Sequence, residues 1–101
     1  MNAAIQVLPA QLAEFCRRRH IRKLALFGSA VRDDFRPDSD LDFLVEFDPD
    51  RRPGMVELHQ IERELSALHG GRRVDLVNPK YLNHRIRDRV LAEAEVQFPE
   101  R

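Results

Sequence analysis

Ser39, Asp40, Leu41, Asp42, Phe43, Leu44, Val45, Glu46 and Phe47 form the stretch on which the reading of the fold turns. Apolar side chains stand at 41, 43, 45 and 47, and Asp40, Asp42, Leu44 and Glu46 stand between them. A period of two belongs to a β-strand, whose successive side chains point to opposite faces. The segment therefore predicts a strand with one apolar face and one face that carries two carboxylates at i and i+2.

The neighbouring segments extend this pattern. Upstream, Leu12, Phe15, Cys16 and Arg19 recur at helical spacing between Pro9 and His20, with Leu8 one turn earlier. Arg17, Arg18 and Arg19 in the last turn suit the negative end of the helix dipole, and read as a solvated helix end. The apolar run from Lys23 to Phe27 is stopped by Gly28 and reads as a buried strand. Ser29 offers an N-cap for a short helical turn through about Arg36. Downstream, residues 48–54 are a loop by composition. Leu58, Ile61, Leu65 and Leu68 then form a helical stripe that Gly70 and Gly71 end. Residues 73–77 read as a third strand. Asn78 and Pro79 open a last helix carrying Leu82, Ile86 and Val90, and residues 96–98 add a short terminal strand. The order predicts an α/β (α+β) fold, a small mixed sheet of three or four strands with helices packed on one face.

With 101 residues the chain has the length of one domain, spanning 1–101. Apolar residues make up 43% and charged residues 34%, which argues against disorder. Seventeen basic residues balance seventeen acidic ones, so a strongly basic nucleic-acid binder is not indicated. Cys16, the single cysteine, excludes an internal disulfide framework and a cysteine-rich zinc site. No apolar run approaches the roughly 20 residues of a membrane helix, and the N-terminus lacks the pattern of a secretory signal. A cytoplasmic protein is expected. The balance of charge hides uneven placement: residues 37–50 hold six acidic residues and no basic ones, between flanks that are rich in arginine. Such a segment suits a bound cation, with an anion met by the flanks.

Three features carry chemistry. Gly28 and Ser29 end a strand and open a turn, where a phosphate can approach the backbone amides; alone, the pair is also an ordinary capped turn. Asp40 and Asp42 lie about 7 Å apart at the backbone on one side of a strand. Carboxylates so close repel one another, and Mg²⁺, a hard cation that shares phosphate oxygens, relieves that repulsion; alone, the pair also fits a solvated strand edge. Asp75 stands in the middle of the apolar strand 73–77, where burial without a partner is costly, so it is either salt-bridged or functional. Three carboxylates on neighbouring strands can hold two metal ions about 3.5–4 Å apart, the geometry of in-line nucleotidyl transfer. An EF-hand reading of 38–49 fails, because its sixth position is Phe43 and its twelfth is Pro49. The histidines 20, 59, 69 and 84 show no ligand spacing, and Arg85, Arg87 and Arg89 read as a solvated face or a docking patch.

The pattern Gly28-Ser29, ten residues, Asp40, one residue, Asp42 resembles the nucleotidyltransferase superfamily related to DNA polymerase β. The Ser39-Asp40 pair and the late strand with Asp75 look more narrowly like the minimal nucleotidyltransferases, over about Leu24 to Val96. The resemblance implies that Gly28 and Ser29 hold the β and γ phosphates of ATP and that Asp40 and Asp42 bind Mg²⁺. It implies that Asp75 completes the triad, sharing a metal or taking the proton of the acceptor hydroxyl. Ser39 would donate to a phosphate oxygen or orient Asp40, and Arg32 would contact a phosphate or the partner. The family commonly has glycine where this chain has Asp33; Asp33 and Asp34 put the efficiency of catalysis in question. Larger relatives carry a helical acceptor domain for which 101 residues leave no room. The resemblance thus implies an antitoxin that transfers AMP to a tyrosine of a HEPN-domain ribonuclease toxin. An antitoxin acting by binding alone and a drug-type small-molecule nucleotidyltransferase are the alternatives. Tyr81, the single tyrosine, is expected on a helix surface rather than in the chemistry.

Overall fold

The alternation of 41–47 becomes the strand β2 of a four-stranded sheet in a computed structural model that describes residues 7–31 and 40–99. The first helix, α1 (Pro9–Arg18), opens with proline at its first turn, where the missing amide hydrogen costs nothing. It is followed by β1 (Ile21–Phe27), a single 3-10 turn over Gly28–Val31, and β2 (Leu41–Phe47). Then come α2 (Met55–Leu68), β3 (Val74–Val77), a second 3-10 turn over Pro79–Tyr81, α3 (His84–Glu93) and β4 (Glu95–Phe98). The strand order is β3-β2-β1-β4. β1 pairs antiparallel with both β2 and β4, whereas β2 and β3 run parallel. A parallel pair needs a crossover, and α2 supplies it. Among the described residues no helix is long and apolar enough to cross a membrane.

The sequence pattern decides which face is covered. Leu41, Phe43 and Val45 of β2 and Leu24 and Leu26 of β1 are buried against Leu12, Phe15 and Cys16 of α1 and Ile61 and Leu65 of α2. Each fully buried aliphatic or aromatic side chain contributes about 1.5–3 kcal/mol. The expected helical stripe of α2 is present, with Ile61 and Leu65 at its centre, and Gly70 and Gly71, both at positive φ, turn the chain after it. Burial pushes the Cys16 thiol up to about 12, so it is an inert core group. The arginines at the end of α1 do more than face solvent. Arg18 and Arg19 both donate to the Glu64 carboxylate on α2, tying the two helices together. The Arg19 hydrogen bond, with the adjacent guanidinium charges, holds Glu64 below its ordinary value.

Two stretches differ from the sequence reading. The last helix is not continuous from Asn78. The Asn78 side chain accepts from the Lys80 amide and caps one turn only; Leu82 is extended, and Asn83 caps α3 anew by accepting from the Arg85 amide. Two asparagine caps five residues apart leave room for one turn between them. Within α3 no residue is buried, and Ile86 is 55% exposed. The C-terminal end of α3 reaches the other face of the sheet, where Leu91 and Ala94 border a cavity of about 30 Å³ over Ala25 and Leu44.

Candidate functional site

The register of the sheet gathers the residues with chemistry at one end of β1, β2 and β3. Phe27 pairs with Asp42, and Asp42 pairs in turn with Asp75. Residues paired across parallel strands point to the same face about 4.8 Å apart, so Asp42 and Asp75 are neighbours on the face opposite the helical core. Asp40 precedes β2 and lies on the same side as Asp42, because buried Leu41 between them points into the core. The Leu41 amide donates to the Arg73 carbonyl at 2.8 Å, which brings the start of β3 beside Asp40. The Arg73 guanidinium then stands 4.0 Å from the Asp40 carboxylate.

Gly28 closes the site from the β1 side. Its φ is +75°, a region that side chains rarely adopt, and a Cβ placed there would meet Asp42 Oδ2 at 2.6 Å. Glycine is thus required twice, for the turn and for the approach of the backbone to the carboxylate. The 3-10 turn that starts at Gly28 leaves amides without a helical partner at the mouth of the site, as at any helix start. Ser29 lies in this turn by its backbone; its side chain, together with Arg32, Asp33, Asp34 and Ser39, lies outside the described residues.

Asp75 is not a buried carboxylate seeking a partner, as its apolar neighbours suggest. It is exposed, because the parallel register turns it outward while Val74 points to the core. No burial cost holds it, and its position beside Asp42 comes from register alone. Among the described residues no three His, Cys, Asp or Glu side chains are drawn close enough to form a ready metal cage. The donors are nonetheless all hard carboxylate oxygens on one face, the chemistry that suits Mg²⁺ completed by water and phosphate oxygens. Tyr81 sits in a 3-10 turn, 86% exposed, away from this end of the sheet.

Sequence reasoning passed over two residues. Glu62 of α2 accepts a hydrogen bond from the Leu76 amide of β3 at 3.3 Å, fixing the strand that carries Asp75. Arg73 flanks Asp40. His69, whose ring packs against Phe43 and whose Nδ1 meets the Leu65 carbonyl at 2.8 Å, is a core group rather than a ligand. Burial holds its pKa below the ordinary 6.5.

The chain that carries this glycine turn and these three aspartates matches the nucleotidyltransferase domain family over residues 9–96. The chain belongs to this family and, within it, to the minimal nucleotidyltransferases. It is 38% identical to the protein adenylyltransferase MntA of Thermococcus cleftensis over 86% of this chain and 85% of the relative. A solved structure described as a candidate minimal nucleotidyltransferase superposes with a TM-score of 0.69 at 35% identity, covering 85% of each chain. A toxin–antitoxin crystal structure with AMP-PNP shares the fold, with a TM-score of 0.71 at 15% identity, over 94% of this chain and 76% of the other.

Proposed function

We propose that the protein transfers AMP from ATP to a tyrosine hydroxyl of a HEPN-domain toxin and thereby silences it. The observation that carries this reading is the close approach of the Gly28 turn to Asp42, which pairs in register with Asp75: the start of a turn is set against two neighbouring carboxylates. The likeness to a protein adenylyltransferase over most of both chains supports a protein acceptor, and solved MntA–HepT toxin–antitoxin complexes with the same fold support the class of partner.

In this reading the amides at Gly28 and Ser29 bind the β and γ phosphates, with Ser39 and Arg32 as further phosphate contacts. Asp40 and Asp42 would hold Mg²⁺, with Asp75 beside them. When bound, the cation supplies positive charge that offsets the charge developing on the phosphates and aligns the entering and leaving oxygens. The tyrosine oxygen forms a bond to the α-phosphorus, the bond from that phosphorus to the bridging oxygen breaks, and pyrophosphate leaves. Asp75, exposed beside Asp42, takes the phenolic proton. The same reading places the protein in the cytoplasm, where ATP is at hand.

Incubation with α-labelled ATP, Mg²⁺ and a HEPN-domain partner tests the proposal. Label should appear on the partner, and a trace of this chain should silence an excess of ribonuclease activity. Neutralisation that stops at equimolar protein without ATP dependence supports a binding antitoxin instead, and label confined to small molecules supports a drug-type enzyme.

A further inference from the structure

At the far end of β2, about 17 Å along the strand from Asp42, the surface opens into a second cleft of about 600 Å³. Its walls come from three stretches: Arg22 of β1, the end of β2 with the loop after it and the start of α2, and the end of β3 with the turn beyond. Phe47, Leu58 and Leu76 give it an apolar lining. Arg51, Arg52 and Lys80 add three exposed cations. Glu46 of the same cleft is already engaged by Arg22 at 3.0 Å, and Asp48 lies 3.9 Å from His20 Nδ1. Among the described residues, the side chains of Arg51, Arg52 and Lys80 have no carboxylate partner. Tyr81, 86% exposed, completes the lining.

A cationic cleft with an apolar floor is an unusual surface for a chain of zero net charge. We propose that it is the docking site for an acidic segment of the protein that is modified, with one apolar side chain of that segment seated on the floor. Charge complementarity selects the occupant: three unpaired cations attract carboxylates, and the floor offers an apolar anchor the burial that gives a docked segment its affinity. An acidic peptide suits the cleft better than a nucleic acid, because it can seat an apolar side chain on the floor, which a sugar–phosphate backbone cannot. The proposal rests on the reading of the protein as an enzyme with a protein substrate. It adds that the substrate is held at a place remote from the carboxylates, so that docking and transfer are separable.

The probe is a short fluorescein-labelled peptide rich in glutamate and aspartate with one central phenylalanine, titrated into the ¹⁵N-labelled protein. Amide resonances of Arg51, Arg52, Leu76 and Lys80 should move, and those of Gly28 and Asp75 should not. The double substitution Arg51→Glu, Arg52→Glu should weaken the peptide at least about tenfold, and Lys80→Glu should weaken it independently. With the HEPN-domain partner, the same substitutions should raise KM and leave kcat at saturation unchanged. Shifts outside the cleft, unchanged binding by the charge-reversed variants, or tighter binding of a single-stranded oligouridylate would each overturn the docking site. If the wild-type protein labels no partner yet holds the peptide in the cleft, the transfer reading falls and the docking site stands. If the charge-reversed protein labels the partner with unchanged KM, the docking site falls and transfer stands.

Discussion

On one face of the sheet Leu24, Leu26, Phe43 and Val45 are almost without solvent contact, locked between α1 and α2. On the other face the same strands carry Asp42 and, one strand over, exposed Asp75, with Gly28 pressed against the first. The covered face is over-determined: many apolar contacts fix each side chain, and no single polar bond decides its position. On the carboxylate face, strand register and one glycine set the places of Asp42 and Asp75. Rigidity is therefore made on the first face and used on the second. A change on the covered face should cost stability, and a change on the carboxylate face should cost chemistry.

Phe43→Ala gives the largest expected effect, since it empties a site 1% exposed at the centre of the covered face. Chemical denaturation should show a loss of about 3–5 kcal/mol. A loss below about 1 kcal/mol would mean that the covered face is not the source of stability. Asp42→Asn is the counterpart. Transfer should fall by at least about 100-fold, and thermal unfolding should stay close to that of the parent, because an isostere keeps the shape of the side chain and removes its charge. Unfolding by more than about 2 kcal/mol would make Asp42 a structural residue.

Gly28→Ala joins the two faces. The left-handed backbone costs about 1–2 kcal/mol for an alanine, and the added Cβ drives the Asp42 carboxylate from its place. Stability should drop modestly and transfer should drop far more, as read by melting and by label incorporation on the same preparation. Equal losses in both would break the division of labour between the faces.

The smallest effect belongs to the charged link between α1 and α2. Glu64→Gln should cost about 0.2–1 kcal/mol, the range of exposed pairs. Its pKa is depressed in the folded protein, so its contribution is present above its ordinary 4.5 and is lost as pH falls through the folded value. His69, also depressed by burial, adds a second acid-side loss. The unfolded chain takes up a proton as pH falls below 6.5 and the folded chain resists, so stability declines from there downward. Denaturation midpoints measured across this range in the parent, Glu64→Gln and His69→Gln separate the two.

The strands were legible in the sequence because alternation states both faces at once: Leu41, Phe43 and Val45 name the core, and Asp42 names what lies opposite. Gly28 was legible as a turn, though its contact with Asp42 was not, since that depends on the pairing of β1 with β2. The stripe of Leu82, Ile86 and Val90 misled about burial, because periodicity reports that a helix has two sides and not that anything covers one of them. Asp75 was found for a reason that the structure revises: its neighbours are apolar, but register turns it outward. The second cleft had no signature, for its walls are assembled from stretches far apart in the chain.

The bond from the Leu76 amide to Glu62 has a consequence for how the molecule meets others. β3 is an outer strand of four residues, and Leu76 is one of the amides it turns away from β2. Strand addition, the route by which many proteins recruit a partner or aggregate, needs such amides to be vacant. Here a helix side chain has already claimed one of them, on an edge too short to offer a long ladder. Recognition at this edge is thereby steered away from backbone zippering, which is indifferent to sequence, and toward side-chain chemistry, which is not. An edge closed in this way is a means of selectivity.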